Sequence, residues 1–396
     1  MGPIAQRSKL EIGEGSLILF YGPSGSGKSY VAKLLYSVLA LPYISEYKEG
    51  VTCEEYSGFA KKLCESFMMV FGHDEGKRLF KHSEFTLKIG DSELLLKKGS
   101  VEGRGAFREL IYRKDGAPKV RVSLHDIKRI YDRVGLYPST YLAYAKSFLL
   151  FIHYYLSFNP LTLTYRRRLL EALYSDPIFS LYVLPWTELV HVYETKYKGK
   201  LSECMKGKLF VSLMKKILLE GEIFFEDKIG VMYKYKNQDF HLYSVAASIS
   251  ENVPLLLLSC LVQQEKRLSI IEEPESQLHV SLQRFIAWYL RLLASMTPLI
   301  VTSHSDVILA ELKLSQMLLR KGIEETVTYL SKYGLEADNE DINAMRRVNI
   351  KVYHFGDGGF KGYALDDIEN SPSISEVLED LLASLVEVSS DEVRSA

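Results

Sequence analysis

A glycine-rich segment near the start of the chain has the residue types and spacing of a phosphate-binding loop. Gly22 and Gly27 are separated by four residues and followed directly by Lys28 and Ser29. Glycines let backbone N–H groups turn inward around an anion. The lysine reaches the β- and γ-phosphates of a nucleoside triphosphate, and the serine hydroxyl is a ligand for Mg²⁺. We therefore expect a nucleotide and Mg²⁺ to bind here, with nucleotide contacts from Gly22, Pro23, Ser24, Gly25, Ser26, Gly27, Lys28, Ser29 and Tyr30.

The residues on either side of the loop have the patterns of a strand and a helix. The apolar run 16–21 predicts a buried strand, and residues 30–39 have apolar side chains at helical spacing until Pro42 ends the pattern. This order places a helix N-terminus, with its partial positive charge, at the anion site. The alternative, a chance glycine-rich turn, does not explain both flanks.

A second segment supplies carboxylates of the kind that a phosphate-binding loop needs. The apolar run 268–271 predicts a short strand, and Glu272, Glu273, Pro274 and Glu275 follow it. Ligands of open α/β sheets bind at the carboxyl ends of the strands. We expect Glu272 to bind Mg²⁺, directly or through water, and Glu273 to act as the general base. A solvated acidic turn is the alternative for this segment taken alone.

A third segment repeats the pattern of an apolar strand that ends in polar residues. Residues 299–302 are followed by Ser303, His304 and Ser305, and a helical pattern over 278–293 separates this strand from the acidic one. A strand–helix–strand unit predicts two neighbouring parallel strands. His304 is then expected as a catalytic residue that contacts the γ-phosphate or the attacking water, the alternative being a structural histidine.

The composition permits a large core but names no partner. The chain has 396 residues, 47% of them hydrophobic, and a formal net charge of −1, which suggests two or three domains. Residues 85–124 read as an antiparallel meander with hairpin signals. The predicted division is a P-loop ATPase domain over 1–75 and 205–365, a β-rich lobe over 76–124, a helical insertion or lid over 125–204, and an acidic C-terminal helix or tail over 366–396.

Two basic segments raise the question of nucleic acid. Lys and Arg outnumber Asp and Glu between residues 77 and 133, and Arg166, Arg167 and Arg168 form a sharper cluster. A merely solvated charged face is the alternative, so nucleic acid is only a candidate partner.

The cysteines and the apolar segments bear on the compartment. Four scattered cysteines without a C-x-x-C pair predict neither a zinc site nor a disulfide framework, which favours a reducing, cytoplasmic location. No signal peptide is apparent. Lys146 and His153 interrupt the apolar stretch 141–158, so we expect a buried or partner-facing helix rather than a membrane span. Asn and Gln are scarce, a bias typical of thermophiles.

Together these motifs resemble ABC-type ATPases of the SMC/RecF/OLD-like group, in their ATPase-only, AAA-family form. The resemblance rests on the loop 22–29, on the acidic run 272–275 with Leu278 and His279, and on the segment 302–305. It implies an α/β P-loop NTPase lobe with an antiparallel β-lobe and a mainly helical insertion. It also implies ATP hydrolysis coupled to a homodimer that forms a head-to-tail ATP sandwich, a process such as DNA repair or defence, a separate nuclease as partner, and no membrane. No Toprim-like acidic cluster follows the ATPase region, so no built-in nuclease is expected.

One motif departs from this family pattern. The signature Ser-Ser-Gly, which contacts the γ-phosphate across the dimer, is replaced by Ala246, Ala247 and Ser248 ahead of Pro254. Ser248 or Ser250 is expected to substitute. The departure favours an alternative function, a nucleotide-gated scaffold that hydrolyses little and recruits a partner. A P-loop kinase is disfavoured, because no acceptor-binding motif is apparent.

Overall fold

The computed structural model describes the chain in segments. These are residues 9–12, 16–39, 53–71, 73–89, 91–111, 125–127, 129, 139–142, 193, 196, 201, 204, 207–226, 230–263, 268–356 and 359–365. The predicted hairpin at 115–122, the arginine cluster 166–168, most of the apolar stretch 141–158 and the acidic tail lie outside the described residues.

A six-stranded sheet forms the centre of the fold. Its strand order is β13-β12-β2-β11-β10-β6, and every neighbouring pair is parallel except β12 and β13. The strands are β2 (Ser16–Tyr21), β6 (Ser139–Leu142), β10 (Leu268–Glu272), β11 (Leu299–Ser303), β12 (Asn349–Gly356) and β13 (Gly359–Ala364).

The continuous apolar runs of these strands are explained by burial on both faces. All six residues of β2 are buried, and successive side chains point to opposite faces of the sheet. Leu17 and Leu19 belong to one core, and Ile18 and Phe20 belong to the other. The fold is therefore a layered α/β fold with a parallel central sheet, as the sequence predicted.

Two smaller sheets flank the centre. A four-stranded sheet has the order β1-β3-β4-β5, and its first two strands pair in parallel. A three-stranded antiparallel sheet has the order β7-β8-β9. The strands are β1 (Lys9–Ile12), β3 (Glu84–Ile89), β4 (Ser92–Lys97), β5 (Ser100–Arg104), β7 (Glu222–Glu226), β8 (Gly230–Tyr235) and β9 (Gln238–His241).

Helices cover both faces of the central sheet. The core with Ile18 and Phe20, which we call the first core, is covered by α1 (Lys28–Leu39), α2 (Gly58–Phe71), α3 (His73–His82) and α4 (Arg108–Ile111). The core with Leu17 and Leu19, which we call the second core, is covered by α5 (Lys208–Ile217), α6 (Ala247–Ser250), α7 (Val253–Val262), α8 (Val280–Ala294), α9 (Asp306–Lys321), α10 (Ile323–Lys332) and α11 (Asn339–Arg346). None of the helices among these described residues has the length and apolar character needed to cross a membrane.

Two features of the layout differ from the sequence-based expectation. Ser139–Leu142, inside the segment expected to be a helical insertion, is a strand that pairs with β10 in the central sheet. The N-terminal strand β1 pairs with β3, so the β-rich sheet includes residues from the start of the chain. The division of the chain into domains remains a prediction.

The expectation of no disulfides was wrong. Cys53 is bonded to Cys64, and Cys204 is bonded to Cys260. The second bond closes a loop with a sequence separation of 56 residues. In the chain-entropy account, a cross-link of that span stabilises the fold by about 4 kcal/mol. Sequence spacing gave no hint of it, because the partners become neighbours only when α7 packs into the second core.

Candidate active site

The phosphate-binding loop begins where β2 ends and leads directly into α1. Gly22, Gly25 and Gly27 have φ values of 146°, 79° and 101°, which favour glycine. A Cβ at Gly22 would lie 2.4 Å from the Phe355 carbonyl oxygen, whereas one at Gly25 would meet nothing within 4 Å. The loop thus packs against β12 at Gly22 and has open space beside Gly25.

Lys28 lies at the centre of this loop. It is 5% exposed, and its ammonium donates to the Gly22 carbonyl over 2.7 Å and to the Pro23 carbonyl over 2.8 Å. Burial lowers the pKa of Lys28, while the carboxylates of Glu273 and Glu275 oppose that shift. A buried ammonium that is positioned by loop carbonyls can donate charge-assisted hydrogen bonds to phosphate oxygens.

The hydroxyl groups of the loop fit a phosphate ligand. Ser26 has a buried Oγ that finds no hydrogen-bond partner among the described residues. Ser29, in the first turn of α1, is half-buried. The side chain of Tyr30 packs against Phe71 of α2, with 5.3 Å between ring centroids, and its nucleotide contact remains a prediction.

The acidic strand lies two positions from β2 in the sheet, with β11 between them. Glu272 is the last residue of β10, is 4% exposed, and lies in register with Thr302. Glu273 follows with a φ of 43°, a conformation uncommon for a residue with a side chain. Its N–H donates to the Thr302 carbonyl over 2.9 Å, which fixes this turn at the carboxyl edge of the sheet.

The interposed strand β11 brings His304 to the same edge. The imidazole Nδ1 lies 3.9 Å from a Glu273 oxygen and 3.5 Å from Glu275 Oε1, and the His304 side chain is 44% exposed. The structure therefore brings together the predicted base and the predicted histidine. It also adds Glu275, which the sequence analysis left without a role.

The signature segment is built differently from the serine-rich form. Ala246 and Ala247 are exposed, and Ser248 is half-buried in the short helix α6. The Ser250 hydroxyl donates to the Ala247 carbonyl over 3.3 Å and is 8% exposed. Of the two serines, Ser248 is therefore the more accessible to a ligand.

Ser29 and Glu272 are the two side chains of this site that are expected to bind Mg²⁺. No group of three or more His, Cys, Asp or Glu side chains within the described segments is arranged to hold a metal ion. In phosphate-binding loop proteins, one serine or threonine hydroxyl and one carboxylate are the usual protein ligands of Mg²⁺. Ser29 and Glu272 have these chemical groups.

The segment that carries the acidic residues and His304 matches a known sequence family. Residues 254–310 match the sequence family described as "AAA domain, putative AbiEii toxin, Type IV TA system". This segment carries α7, the acidic strand and its turn, α8, β11 and His304. No curated protein matches the sequence.

Solved structures of SMC head domains show a weaker likeness. An SMC head bound to the C-terminal winged-helix domain of ScpA is 11% identical, with 90% of this chain and 92% of that chain covered at a TM-score of 0.42. The SMC head domain from Thermotoga maritima is 14% identical, with 89% and 90% covered at 0.37. An Smc head with an extended coiled coil, bound to the C-terminal domain of ScpA derived from Pyrococcus furiosus, is 11% identical, with 93% and 94% covered at 0.40.

The fold assignment itself depends on the topology of this chain. A parallel sheet carries the phosphate-binding loop after β2 and the acidic turn after β10, with a histidine strand between them. Together with the AAA-domain match over 254–310, this arrangement agrees with the expected resemblance to ABC-type, AAA-family ATPases: the phosphate-binding loop and the acidic turn lie at the same edge of one sheet.

Proposed function

We propose that the chain binds ATP with Mg²⁺ at this edge of the sheet and hydrolyses it to ADP and phosphate. The observation that carries the proposal is the convergence of three segments. Lys28 follows β2, Glu273 follows β10 and His304 follows β11, and these strands are neighbours in one parallel sheet. The first two are more than 240 residues apart in the chain, so their meeting is a property of the fold.

Each residue has a role that its position allows. The loop amides and Lys28 hold the phosphates, and Ser29 with Glu272 holds Mg²⁺, which supplies charge neutralisation at the phosphates. Glu273 accepts a proton from the attacking water and orients it. His304, partly exposed beside Glu273, contacts the γ-phosphate. The strained backbone of Glu273 directs its carboxylate towards the histidine instead of continuing the strand.

Replacing Glu273 by Gln tests the hydrolysis step. The amide keeps the shape of the side chain but cannot take a proton, so we expect ATP binding to be retained and kcat to fall by about 10²–10⁴-fold. Steady-state phosphate release and calorimetric ATP titration measure the two quantities. The control is Glu311→Gln, which makes the same change at a carboxylate of the helical layer; its side chain is 7% exposed, against 26% for Glu273. Unchanged turnover in Glu273→Gln would remove the base from the mechanism.

We further propose that hydrolysis is coupled to a homodimer in which two sites face each other across ATP. The exposed residues Pro23, Ser24 and Gly25, and the accessible Ser248, support a surface that a second copy completes. Light scattering of Glu273→Gln with and without ATP tests this, with a nucleotide-dependent dimer as the expected result. Ser248→Ala should weaken that dimer, and a monomer at every concentration with ATP would contradict it.

The second candidate function is a nucleotide-gated scaffold with little hydrolysis, which recruits a nuclease or another partner. It is favoured by Ala246 and Ala247, which are exposed where serine hydroxyls would reach the phosphate, and by the inward turn of the Ser250 hydroxyl. Turnover measured over a range of protein concentrations separates the two functions. A rate that rises as the dimer forms supports the enzyme, and negligible turnover at all concentrations supports the scaffold.

Nucleic acid and a role in DNA repair or defence remain proposals. Within the described residues, several basic side chains of 77–133 pair with carboxylates: Lys77 with Glu55, Arg78 with Glu75, Arg104 with Glu93, and Arg129 with Glu109. These pairs leave less positive charge for a phosphate backbone. A DNA-binding titration that shows no affinity, or no salt dependence, would remove nucleic acid as a partner.

A cytoplasmic location is also a proposal, and it must account for the two disulfides. Disulfides persist mainly in oxidising compartments, but intracellular proteins of hyperthermophiles are an exception. The scarcity of Asn and Gln is in keeping with that exception. Cell fractionation with immediate thiol alkylation tests it, with both disulfides intact in the cytoplasmic fraction as the expected result. Recovery outside the cytoplasm would contradict the location.

A further inference from the structure

Glu275 joins the two halves of the site, and its contacts are unusual for a residue in a turn. It is 3% exposed. Its Oε1 accepts a hydrogen bond from the Ser303 hydroxyl over 2.7 Å and from the His304 backbone N–H over 2.9 Å. The same oxygen lies 3.5 Å from the His304 imidazole Nδ1. Three groups of the histidine segment therefore converge on one oxygen of the acidic turn.

The contacts continue through the histidine segment. The Ser303 hydroxyl accepts from the Ser305 N–H over 3.0 Å. The Ser305 hydroxyl in turn accepts from the Ile308 N–H over 3.2 Å, which caps the N-terminus of α9. Glu275 is thus the first member of a chain of hydrogen bonds that fixes the backbone on both sides of His304.

The second oxygen of Glu275 distinguishes this carboxylate from a purely structural one. Its Oε2 is buried and has no hydrogen-bond partner in the part of the chain that the structure describes. An unsatisfied buried carboxylate oxygen is costly. The negative charge also acts on Lys28, whose pKa it raises against the effect of burial. Such a cost is expected at a functional position rather than in a stable core.

We propose that Glu275 is a positioning residue, which holds His304 at the γ-phosphate side of the site by accepting two hydrogen bonds from the Ser303–His304 segment. The expected effect on catalysis rests on the proposed ATPase function. The positioning of His304 by Glu275 does not depend on that function. The role requires an acceptor atom at Oε1, and a side chain of the same size without an acceptor cannot fill it.

Two readouts test the proposal in the full-length protein, with Glu275→Met as the main variant. Methionine fills similar space without an acceptor oxygen. The first readout is hydrogen exchange of the backbone amides of residues 303–305 without nucleotide. We expect exchange at His304 to rise by at least about tenfold in Glu275→Met. Glu275→Gln, which keeps an acceptor oxygen, should retain slow exchange. Glu275→Ala replaces Met if the longer side chain prevents folding.

The second readout is a double-mutant cycle on kcat with His304→Ala. Loss of a supporting contact of this kind costs about 10–100-fold in activity. We expect that loss for Glu275→Met in the wild-type background, with the Kd for ATP within about threefold, and little further loss in His304→Ala. The same factor in both backgrounds would mean that Glu275 acts independently of His304, and would overturn the proposal.

The control and the remaining outcomes distinguish a failure of the positioning proposal from a failure of the ATPase proposal. Glu324→Met makes the same change at an exposed carboxylate of α10 and should leave exchange at residues 303–305 as in the wild type. If the wild-type protein shows no turnover, the ATPase proposal fails, and the exchange measurement alone decides the positioning role. Wild-type exchange at His304 in Glu275→Met would overturn it even if turnover fell.

Discussion

Glu275 and Glu311 are two buried carboxylates with very different surroundings. Glu311, at 6% exposed, lies in the helical layer, where it accepts from the Trp288 indole over 3.3 Å and from the Tyr329 hydroxyl over 3.1 and 3.0 Å. It also pairs with Arg284 over 3.1 Å. Both of its oxygens are therefore satisfied. Glu275 lies at the edge of the sheet, and three groups contact its Oε1. Its Oε2 has no hydrogen-bond partner among the described residues.

The difference separates a region built for stability from a region built for a ligand. In the helical layer, Arg284 also stacks on Tyr333, with 4.1 Å between the guanidinium carbon and the ring centroid. The ion pair, the hydrogen bonds and the ring stacking of this region all stabilise the same arrangement of side chains. At the sheet edge, Glu273 has a strained backbone, and the Lys28 ammonium donates to two carbonyls of the loop. Polar groups there are arranged for partners that the polypeptide itself does not provide.

The largest effect should come from Lys28→Ala, which tests the ligand region. Loss of the charge-assisted contacts to the phosphates should raise the Kd for ATP by about 10³-fold, or about 4 kcal/mol. Calorimetric titration measures it. Lys33→Ala, further along α1, is the matched control and should leave the affinity close to that of the wild type. ATP affinity that survives Lys28→Ala would remove the proposed site.

A smaller but clear effect on stability is expected from Glu311→Ala in the helical layer. The change leaves Arg284 and the Trp288 indole without their carboxylate, at a cost of about 3 kcal/mol in the free energy of unfolding. Urea denaturation measures this, and the Kd for ATP should not change. A large loss of ATP affinity would show that the two regions are not separate.

The smallest effect is a pH dependence carried by His354, which lies in register with Tyr21 next to the loop. Burial and then the charge of Lys28 lower the pKa of His354. Because the unfolded state binds the proton more tightly, stability falls as the pH drops below the ordinary value of about 6.5. The stability of His354→Gln should therefore fall less between about pH 7 and about pH 5.5 than that of the wild type, as urea denaturation at each pH measures. An identical decline in both proteins would contradict this.

Local patterns predicted the core elements of the site. The strand Ser16–Tyr21 has the predicted boundaries, and the parallel pairing of β10 and β11 is confirmed. Each depends on a continuous apolar run, and such a signal is contained within a few residues.

Features that depend on distant residues were not predictable in the same way. The disulfide partner of Cys204 lies 56 residues away, and β6 joins the sheet through a pairing that its own sequence does not specify. Glu272, Glu273 and Glu275 look alike in a linear sequence. Their different surroundings arise because the chain turns at Glu273 with a positive φ and because β11 lies beside that turn.

The position of β11 between β2 and β10 also has a consequence for biosynthesis. The phosphate-binding loop leaves the ribosome early, but the strand that must pair with β2 ends at Ser303. At synthesis rates of about 5–20 residues per second, roughly 15–60 s separate the two events. Such non-local pairing also slows folding. A nascent chain therefore carries β2 without its neighbour β11 for that period, and Lys28 and Glu273 can come together only afterwards.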